Sequence, residues 1–166
     1  MSDSPQPHDN ILQLIGAIVL SAQQVEQTLK AILPFTDSQD PSFSGVKARN
    51  KKLKMRTLGD LIGKFLDSST FHTVDFDSQM EVLVNTRNQI VHHFGETYGA
   101  QLGSGETQQV ADSLRAQLAD IEQFKKALQH VALHLFEAIR DTAFYGTPEY
   151  QDMAPFCASF RRRVAS

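Results

Sequence analysis

The sequence predicts an all-α protein, and more specifically an antiparallel up-down four-helix bundle with a short C-terminal extension. Apolar residues recur at three- and four-residue spacing in several long segments, and proline and glycine fall between those segments. No segment shows the alternating pattern of a half-buried strand. The 166 residues are expected to form a single domain, 1–166, with its core at about 10–144 and the extension at 146–166.

The first predicted helix runs from about Ile11 to Leu33. Asp9 or Asn10 can cap its start, and Pro34 ends it. The residues that follow, Thr36–Gly45, are rich in Asp, Ser and Pro and are predicted to form a loop. The apolar positions that give the helix one buried face are Ile11, Leu14, Ile15, Ile18, Ala22, Val25, Leu29 and Ile32.

A strongly basic run precedes the second predicted helix. We interpret this run either as a surface that follows an RNA backbone or as a solvated face. The second helix starts near Thr57, a suitable N-cap, and buries Leu58, Leu61, Ile62, Phe65 and Leu66; residues 67–75 form the next loop. The cations of the run are Lys47, Arg49, Lys51, Lys52, Lys54 and Arg56.

The third predicted helix runs from about Asp77 to Phe94, with Asp75 or Asp77 as its cap. A glycine-spaced connection, Gly95–Gly105, leads to a long fourth helix from Glu106 to about Phe144. The buried stripe of the fourth helix is predicted to be Val110, Leu114, Leu118, Ile121, Phe124, Leu128, Val131, Leu135 and Ile139.

The helical pattern weakens beyond Gly146. Pro148 can start one more short helix, which Pro155 is expected to interrupt because proline has no N–H for the helix. We interpret the three consecutive arginines at 161–163 as a solubilising segment rather than a binding site.

The composition excludes several classes of protein. With 16 Lys and Arg against 19 Asp and Glu, the chain is not a wholly basic nucleic-acid binder, although a local basic patch is compatible with this balance. The single cysteine, Cys157, excludes a disulfide framework and a multi-cysteine zinc site. Asp3 and Asp9 lie where a signal peptide would carry basic residues, and polar residues break the apolar run that follows. We therefore expect a cytoplasmic location and no membrane partner.

Arg87 is the unusual residue of the third helix, because it falls where the apolar stripe needs another apolar side chain. A buried charge without a partner costs several kcal/mol, so Arg87 must find an anion, reach solvent or line a cleft. Glu26 of the first helix is a candidate, either as an ion-pair partner or as a residue that supports a site from behind. The stripe consists of Met80, Leu83, Val84, Ile90, Val91 and Phe94.

Asn88 and His92 are four residues apart and so share one face of the helix, where Asn88 can orient the imidazole. Arg87 and His92 lie about 140° apart around a regular helix, so we expect them to flank a groove rather than touch. A two-fold axis can bring Arg87 of one chain to His92 of another, which favours a homodimer. His93 points about 100° away from His92 and is expected to be a neighbour of the site.

The segment from Arg87 to His92 resembles the motif of the HEPN superfamily of helical-bundle ribonucleases. That motif is an arginine, a polar residue, a short spacer and a histidine, and it lies on the third long helix of a bundle, as it does here. A HEPN toxin subfamily continues its motif as His-any-Tyr. Phe94 stands at that tyrosine position, so control by nucleotidylation of the tyrosine is not implied for this chain.

The resemblance implies metal-independent cleavage of RNA, with no cofactor and with Arg87, Asn88 and His92 as catalytic residues. Arg87 would bind the phosphate oxygens, and His92 would move a proton to or from the ribose or the leaving oxygen. Single-stranded RNA is the expected substrate. A toxin or phage-defence role follows by resemblance, with a cognate antitoxin or regulatory protein as partner.

Two alternatives remain open at the level of sequence. One is a HEPN-fold binding or regulatory module without nuclease activity, which would hold a nucleotide, an RNA end or a partner helix in the same groove. The other is a metal-binding bundle that resembles DinB-like proteins, because His130 and His134 have ligand spacing and Glu137 and His72 could join them. We favour a solvated face for His130 and His134, and hence no metal, because they fall on the polar side of the fourth helix.

Overall fold

Every regular element of the protein is helical in the computed structural model, which describes residues 7–36, 42–68 and 74–165. The prediction of an all-α protein is confirmed for these residues. Within the same ranges, no helix has the length and apolar character needed to cross a membrane. The elements are α1 (Pro7–Ile32), a 3₁₀ helix (Leu33–Phe35), α2 (Phe43–Leu53), α3 (Leu58–Ser68), α4 (Val74–His92), α5 (Phe94–Gly103), α6 (Thr107–Thr142) and α7 (Glu149–Ala165).

The chain forms two compact units, each with its own apolar core. Unit 1 consists of Met1–Gln24 and Val74–Phe124, and unit 2 of Val25–Thr73 and Lys125–Ser166. The largest fully buried side chains of unit 1 are Ile18, Met80, Leu83, Val110 and Leu114, and those of unit 2 are Val25, Leu29, Ile32, Leu61, Leu128, Phe136 and Met153.

The two longest predicted helices are present as α1 and α6, with differences in detail. Since α1 already includes Asp9 and Asn10, neither residue is its cap, and Pro7 stands in the first turn, where proline is tolerated. On α6 the predicted stripe is wrong at Val131, which is 47% exposed, whereas Phe136 is fully buried. The stripe shifts because the Phe136 ring packs against Phe156 and Phe160 of α7, at centroid distances of 4.7 and 4.9 Å.

The start of α3 follows the sequence prediction. The Asp60 amide donates to Thr57 Oγ1 at 3.3 Å, and the Thr57 amide donates to Asp60 Oδ2 at 3.4 Å, which is a reciprocal cap. The loop predicted up to residue 45 is too long, because α2 begins at Phe43 with Ser42 as its cap. Residues 37–41 of this loop and residues 69–73 of the next lie outside the described residues.

The third predicted helix ends earlier than expected, and the glycine-spaced connection after it is itself a helix. His93, with φ −127° and ψ 19°, separates α4 from α5. Because α4 begins at Val74, Asp75 and Asp77 lie inside the helix and do not cap it. Tyr98 anchors α5: its ring is buried, and its Oη accepts a hydrogen bond from Gln117 Nε2 at 2.9 Å.

The C-terminal extension contains a 17-residue helix, α7, and Pro155 does not interrupt it. Pro155 is exposed, so water can satisfy the Gln151 carbonyl that lacks its helical donor. Met153, Cys157 and Phe160 are buried on the other face. Packing of this face therefore outweighs the local cost of the proline.

Candidate functional site

The candidate site lies at the C-terminal end of α4, in unit 1. Thr86 occupies the gap in the apolar stripe of this helix, where it is 6% exposed. Arg87 is half-buried at the edge of the stripe rather than inside it, and Asn88 beside it is also half-buried. His92 is exposed in the last turn. Arg87 was expected to interrupt the apolar stripe, but it lies at the margin of the core and Thr86 fills the gap.

Arg87 contacts both other residues of the motif within one chain. Its Nη1 donates to Asn88 Oδ1 at 3.1 Å and lies 3.2 Å from His92 Nε2. The expectation that Arg87 and His92 flank a groove without touching is therefore wrong. The long arginine side chain crosses the helix surface that separates the two positions, a reach that helical angles alone do not predict.

The Arg87 guanidinium keeps one edge for another ligand. A guanidinium has five N–H donors and no acceptor, and Nε–H and Nη2–H form a parallel pair that matches two oxygens of a phosphate or carboxylate. Among the residues that the structure describes, the partners of Arg87 lie at Nη1 only. The charge of Arg87 is met there by an amide and an imidazole, and its Nε–Nη2 edge suits an anion.

His93 belongs to the start of α5 rather than to the cluster around Arg87. Its Nδ1 lies 2.9 Å from Glu96 Oε2, and its carbonyl accepts from the Thr97 amide at 2.9 Å. Its ring centroid is 6.4 Å from that of His92. The two adjacent histidines therefore have partners of opposite charge: His92 contacts the guanidinium of Arg87, and His93 contacts the carboxylate of Glu96.

Glu26, the candidate support for the site, is engaged within unit 2. Lys30 Nζ lies 2.6 Å from Glu26 Oε1 and also donates to the carbonyl oxygen of Lys54 at 3.1 Å. The carboxylate of Glu26 thus helps to hold the end of α1 against the turn after α2. This contact gives Glu26 a structural role.

The basic run forms a cationic surface on α2 and the turn after it. Arg49 is half-buried, and its Nε donates to the Pro34 carbonyl at 2.7 Å, so part of its function is structural. Met55, in the same turn, is 93% exposed. The basic surface is defined by the exposed side chains of Lys47, Lys51, Lys52, Lys54 and Arg56.

The histidines of α6 lie on its exposed face. His130 and His134 are both exposed, and His130 Nδ1 lies 2.8 Å from the Lys126 carbonyl, to which it can donate. Over the described ranges, no group of three or more His, Cys, Asp or Glu residues is placed to hold a metal ion. His72, the third histidine of the metal-binding alternative, lies outside those ranges.

A second polar cluster, at the end of α6, has no counterpart among the predicted sites. Arg140 donates through Nε and Nη2 to the two carboxylate oxygens of Asp141, each at 2.7 Å. These bonds lower the pKa of Asp141 and raise the pKa of Arg140. Burial raises the pKa of the Cys157 thiol, so this thiol is not poised as a nucleophile. The adjacent Arg-Asp pair was the available sequence signal for this cluster.

Comparison of the chain with family models, with curated protein sequences and with solved structures gives no match. The chemistry at the end of α4 is therefore inferred from the side chains themselves. A cation with an open bidentate edge, an amide and an imidazole lie within one hydrogen-bonded group. Such a group can bind a phosphate and exchange a proton beside it.

Proposed function

We propose that the protein is a metal-independent endoribonuclease of the HEPN type, a toxin or phage-defence effector that acts on single-stranded RNA in the cytoplasm. In this proposal the helices form a HEPN-like four-helix bundle with α7 as its extension. One observation carries the proposal: Arg87, Asn88 and His92, the residues of the motif, form one hydrogen-bonded group at the exposed end of α4.

The proposed reaction is attack of a ribose 2′-hydroxyl on the neighbouring phosphate. The 2′-oxygen forms a bond to phosphorus, its proton passes to His92, the bond from phosphorus to the 5′-oxygen breaks, and that oxygen takes a proton from water. Arg87 holds two non-bridging oxygens through Nε–H and Nη2–H, where negative charge grows in the transition state. Asn88 fixes the guanidinium through its hydrogen bond to Nη1.

The basic surface on α2 fits the same substrate class. RNA binding by such side chains depends on counterion release and carries no sequence preference. Lys47, Lys51, Lys52 and Lys54 would contribute to it directly. Arg49 lies in the same run, and its Nε donates to the Pro34 carbonyl.

The proposal includes a homodimer and a controlling partner. A dimer with α4 at its two-fold axis would place two copies of the site in one groove, so that one RNA segment meets both. Light scattering at micromolar concentration should give twice the mass of 18.5 kDa. A monomer mass would remove the dimer while leaving the chemistry of each site intact. The controlling partner would be a cognate antitoxin or regulatory protein that covers the groove.

The test is cleavage of defined single-stranded RNA with and without EDTA. Wild type should cleave in both conditions, while Arg87→Ala and His92→Ala should lose about 10²-fold or more of the activity. Arg115→Ala is the matched control, because Arg115 is an exposed arginine of unit 1 that pairs with Asp112 instead. Cleavage that EDTA abolishes, or that survives both substitutions, would overturn the proposal.

A binding module without nuclease activity is the second candidate. The observation that favours it is the contact itself: Arg87 engages His92 Nε2, whereas no partner from the part of the chain that the structure describes contacts the Nε–Nη2 edge of Arg87, which can take an anion. A folded protein that binds RNA but does not cleave it, and that loses binding on Arg87→Ala, would support this candidate.

A further inference from the structure

The contact between Arg87 and His92 specifies where the proton of the imidazole lies. A guanidinium can only donate, so at 3.2 Å from Arg87 Nη1 the His92 Nε2 must be the acceptor. A neutral imidazole with Nε2 as acceptor carries its proton on Nδ1. An imidazolium would instead place an N–H donor against the N–H donors of the arginine.

We infer that Arg87 positions His92 as a proton acceptor by fixing the tautomer of its imidazole, with the proton on Nδ1 and the lone pair on Nε2. The two N–H bonds of Nη1 are both used in this arrangement, one toward Asn88 Oδ1 and one toward His92 Nε2. Arg87 is thus a positioning residue for His92 in addition to any ligand that it binds itself.

The inference gives His92 the role of general base, a statement that rests on the proposed nuclease function. Because Nε2 has one lone pair in the ring plane, Arg87 Nη1–H must leave it before it can take the 2′-hydroxyl proton. Nη1–H then turns toward the phosphate oxygens, whose negative charge grows as the 2′-oxygen attacks. Proton transfer and charge stabilisation are coupled through one nitrogen of Arg87.

The surroundings of His92 leave Arg87 as the group that sets this state. Across the described residues, the hydrogen-bond and ring contacts of His92 are with the Arg87 guanidinium and with the His93 ring, whose centroid is 6.4 Å away. His93 faces the other way, since its Nδ1 meets the Glu96 carboxylate and so carries a proton there.

The experiment is long-range ¹H–¹⁵N NMR of the full chain labelled in its histidines, at about pH 8.5, where free imidazole is neutral. His92→Gln identifies the His92 signals among those of the six histidines. Wild type should show His92 with its proton on Nδ1. Arg87→Ala should move that proton to Nε2, the form that free histidine favours in water.

Two controls accompany the measurement. Arg115→Ala removes the same charge from unit 1 without contact to His92, and it should leave the Nδ1–H form in place. His93 should keep its Nδ1–H form in every variant. Arg87→Met keeps the apolar part of the side chain, and it replaces Arg87→Ala if the signals of the other histidines show that the alanine variant is unfolded.

The outcomes separate this inference from the proposed function. An Nε2–H form in wild type, or an Nδ1–H form that persists without Arg87, overturns the inference whatever the RNA assay shows. A proton shift on Arg87→Ala in a protein that never cleaves RNA sustains the inference and overturns the nuclease. If the protein cleaves RNA but the His92 proton stays in place in Arg87→Ala, the nuclease proposal is sustained and the inference is overturned.

Discussion

Arg87 on α4 and Arg140 on α6 both lie near the end of a long helix, but their contacts differ. Arg140 uses Nε and Nη2 for the two oxygens of Asp141, at 2.7 Å each, and its guanidinium lies 5.7 Å from the centre of the Tyr150 ring. Arg87 uses Nη1 for an amide and an imidazole. Arg140 gives its Nε–Nη2 edge to a carboxylate, whereas no described residue contacts that edge of Arg87.

This difference separates a structural arginine from a candidate for anion binding. A bidentate carboxylate satisfies the charge and the geometry of a guanidinium together, so Arg140 has little left to offer a ligand. The partners of Arg87 within the described ranges fix its position and carry no formal negative charge. An arginine that is held by groups without formal negative charge is therefore a better candidate for anion binding than one held by an acid.

The largest expected effect concerns the core beside Arg140. Phe136 lies one turn before Arg140 and is fully buried against Phe35, Phe156 and Phe160. Phe136→Ala should lower the free energy of unfolding by about 3–5 kcal/mol, measured by urea denaturation. Val131→Ala is the control on the same helix. Because Val131 is 47% exposed, this substitution should lower the free energy of unfolding by no more than about 0.5 kcal/mol. Equal losses would contradict the observed stripe of α6.

The same conservative substitution in both arginines tests the comparison directly. Arg87→Lys keeps the positive charge but removes the parallel pair of donors, so cleavage should fall about tenfold to a hundredfold. Arg140→Lys should leave cleavage unchanged, because Arg140 serves Asp141. Both are measured with the same RNA under single-turnover conditions. An Arg87→Lys enzyme with wild-type cleavage would show that charge alone suffices at this position.

The basic surface should contribute to binding rather than to chemistry. In a His92→Ala background, Lys51→Ala and Lys52→Ala should each reduce the slope of log affinity against log salt by about 0.7, the value for one phosphate contact on a single strand. Fluorescence anisotropy with labelled RNA measures the slope. Lys126→Ala, at an exposed position of α6, should leave this slope unchanged. Unchanged slopes for both α2 variants would assign these lysines to a solvated face.

The smallest expected effect is the pH response of the Arg140 cluster. The hydrogen bond from Arg140 lowers the pKa of Asp141 in the folded chain. The ionised carboxylate therefore stabilises the fold above the unfolded pKa of about 3.9, and this contribution disappears as the pH falls through the lower folded value. Thermal unfolding from pH 7 to pH 3 should show a steeper acid loss for wild type than for Asp141→Asn. Parallel curves would contradict the assignment.

The helices that the sequence predicted well are those with strong local signals. α1 and α6 have long apolar stripes, and α3 adds a polar cap at Thr57. α2 has like charges at three- and four-residue spacing, α5 contains spaced glycines and α7 contains a proline, so their local preferences argue against stable helices. Their helicity depends on packing, such as that of Tyr98 in α5, which a single sequence does not display.

The residues of the candidate site could be singled out from the sequence, but their geometry could not. Spacing placed Asn88 and His92 on one face and singled out Arg87, yet the contact between Arg87 and His92 depends on the reach of a flexible side chain. Thr86 as the buried residue of the stripe was missed because a hydroxyl does not enter an apolar pattern. The pairing of Arg140 with Asp141 was missed because adjacent residues on a helix ordinarily point apart.

Because of Pro155, α7 is helical only while its tertiary contacts hold it. Proline lowers intrinsic helix stability by about 3 kcal/mol, so a free peptide of residues 149–165 should be a coil in water. In the protein, packing of the Phe156 and Phe160 rings against Phe136 provides the stabilisation that the free peptide lacks. The secondary structure of this segment is therefore a readout of its tertiary contacts: its amides would exchange with solvent as one block whenever those rings separate, while α6 can remain protected.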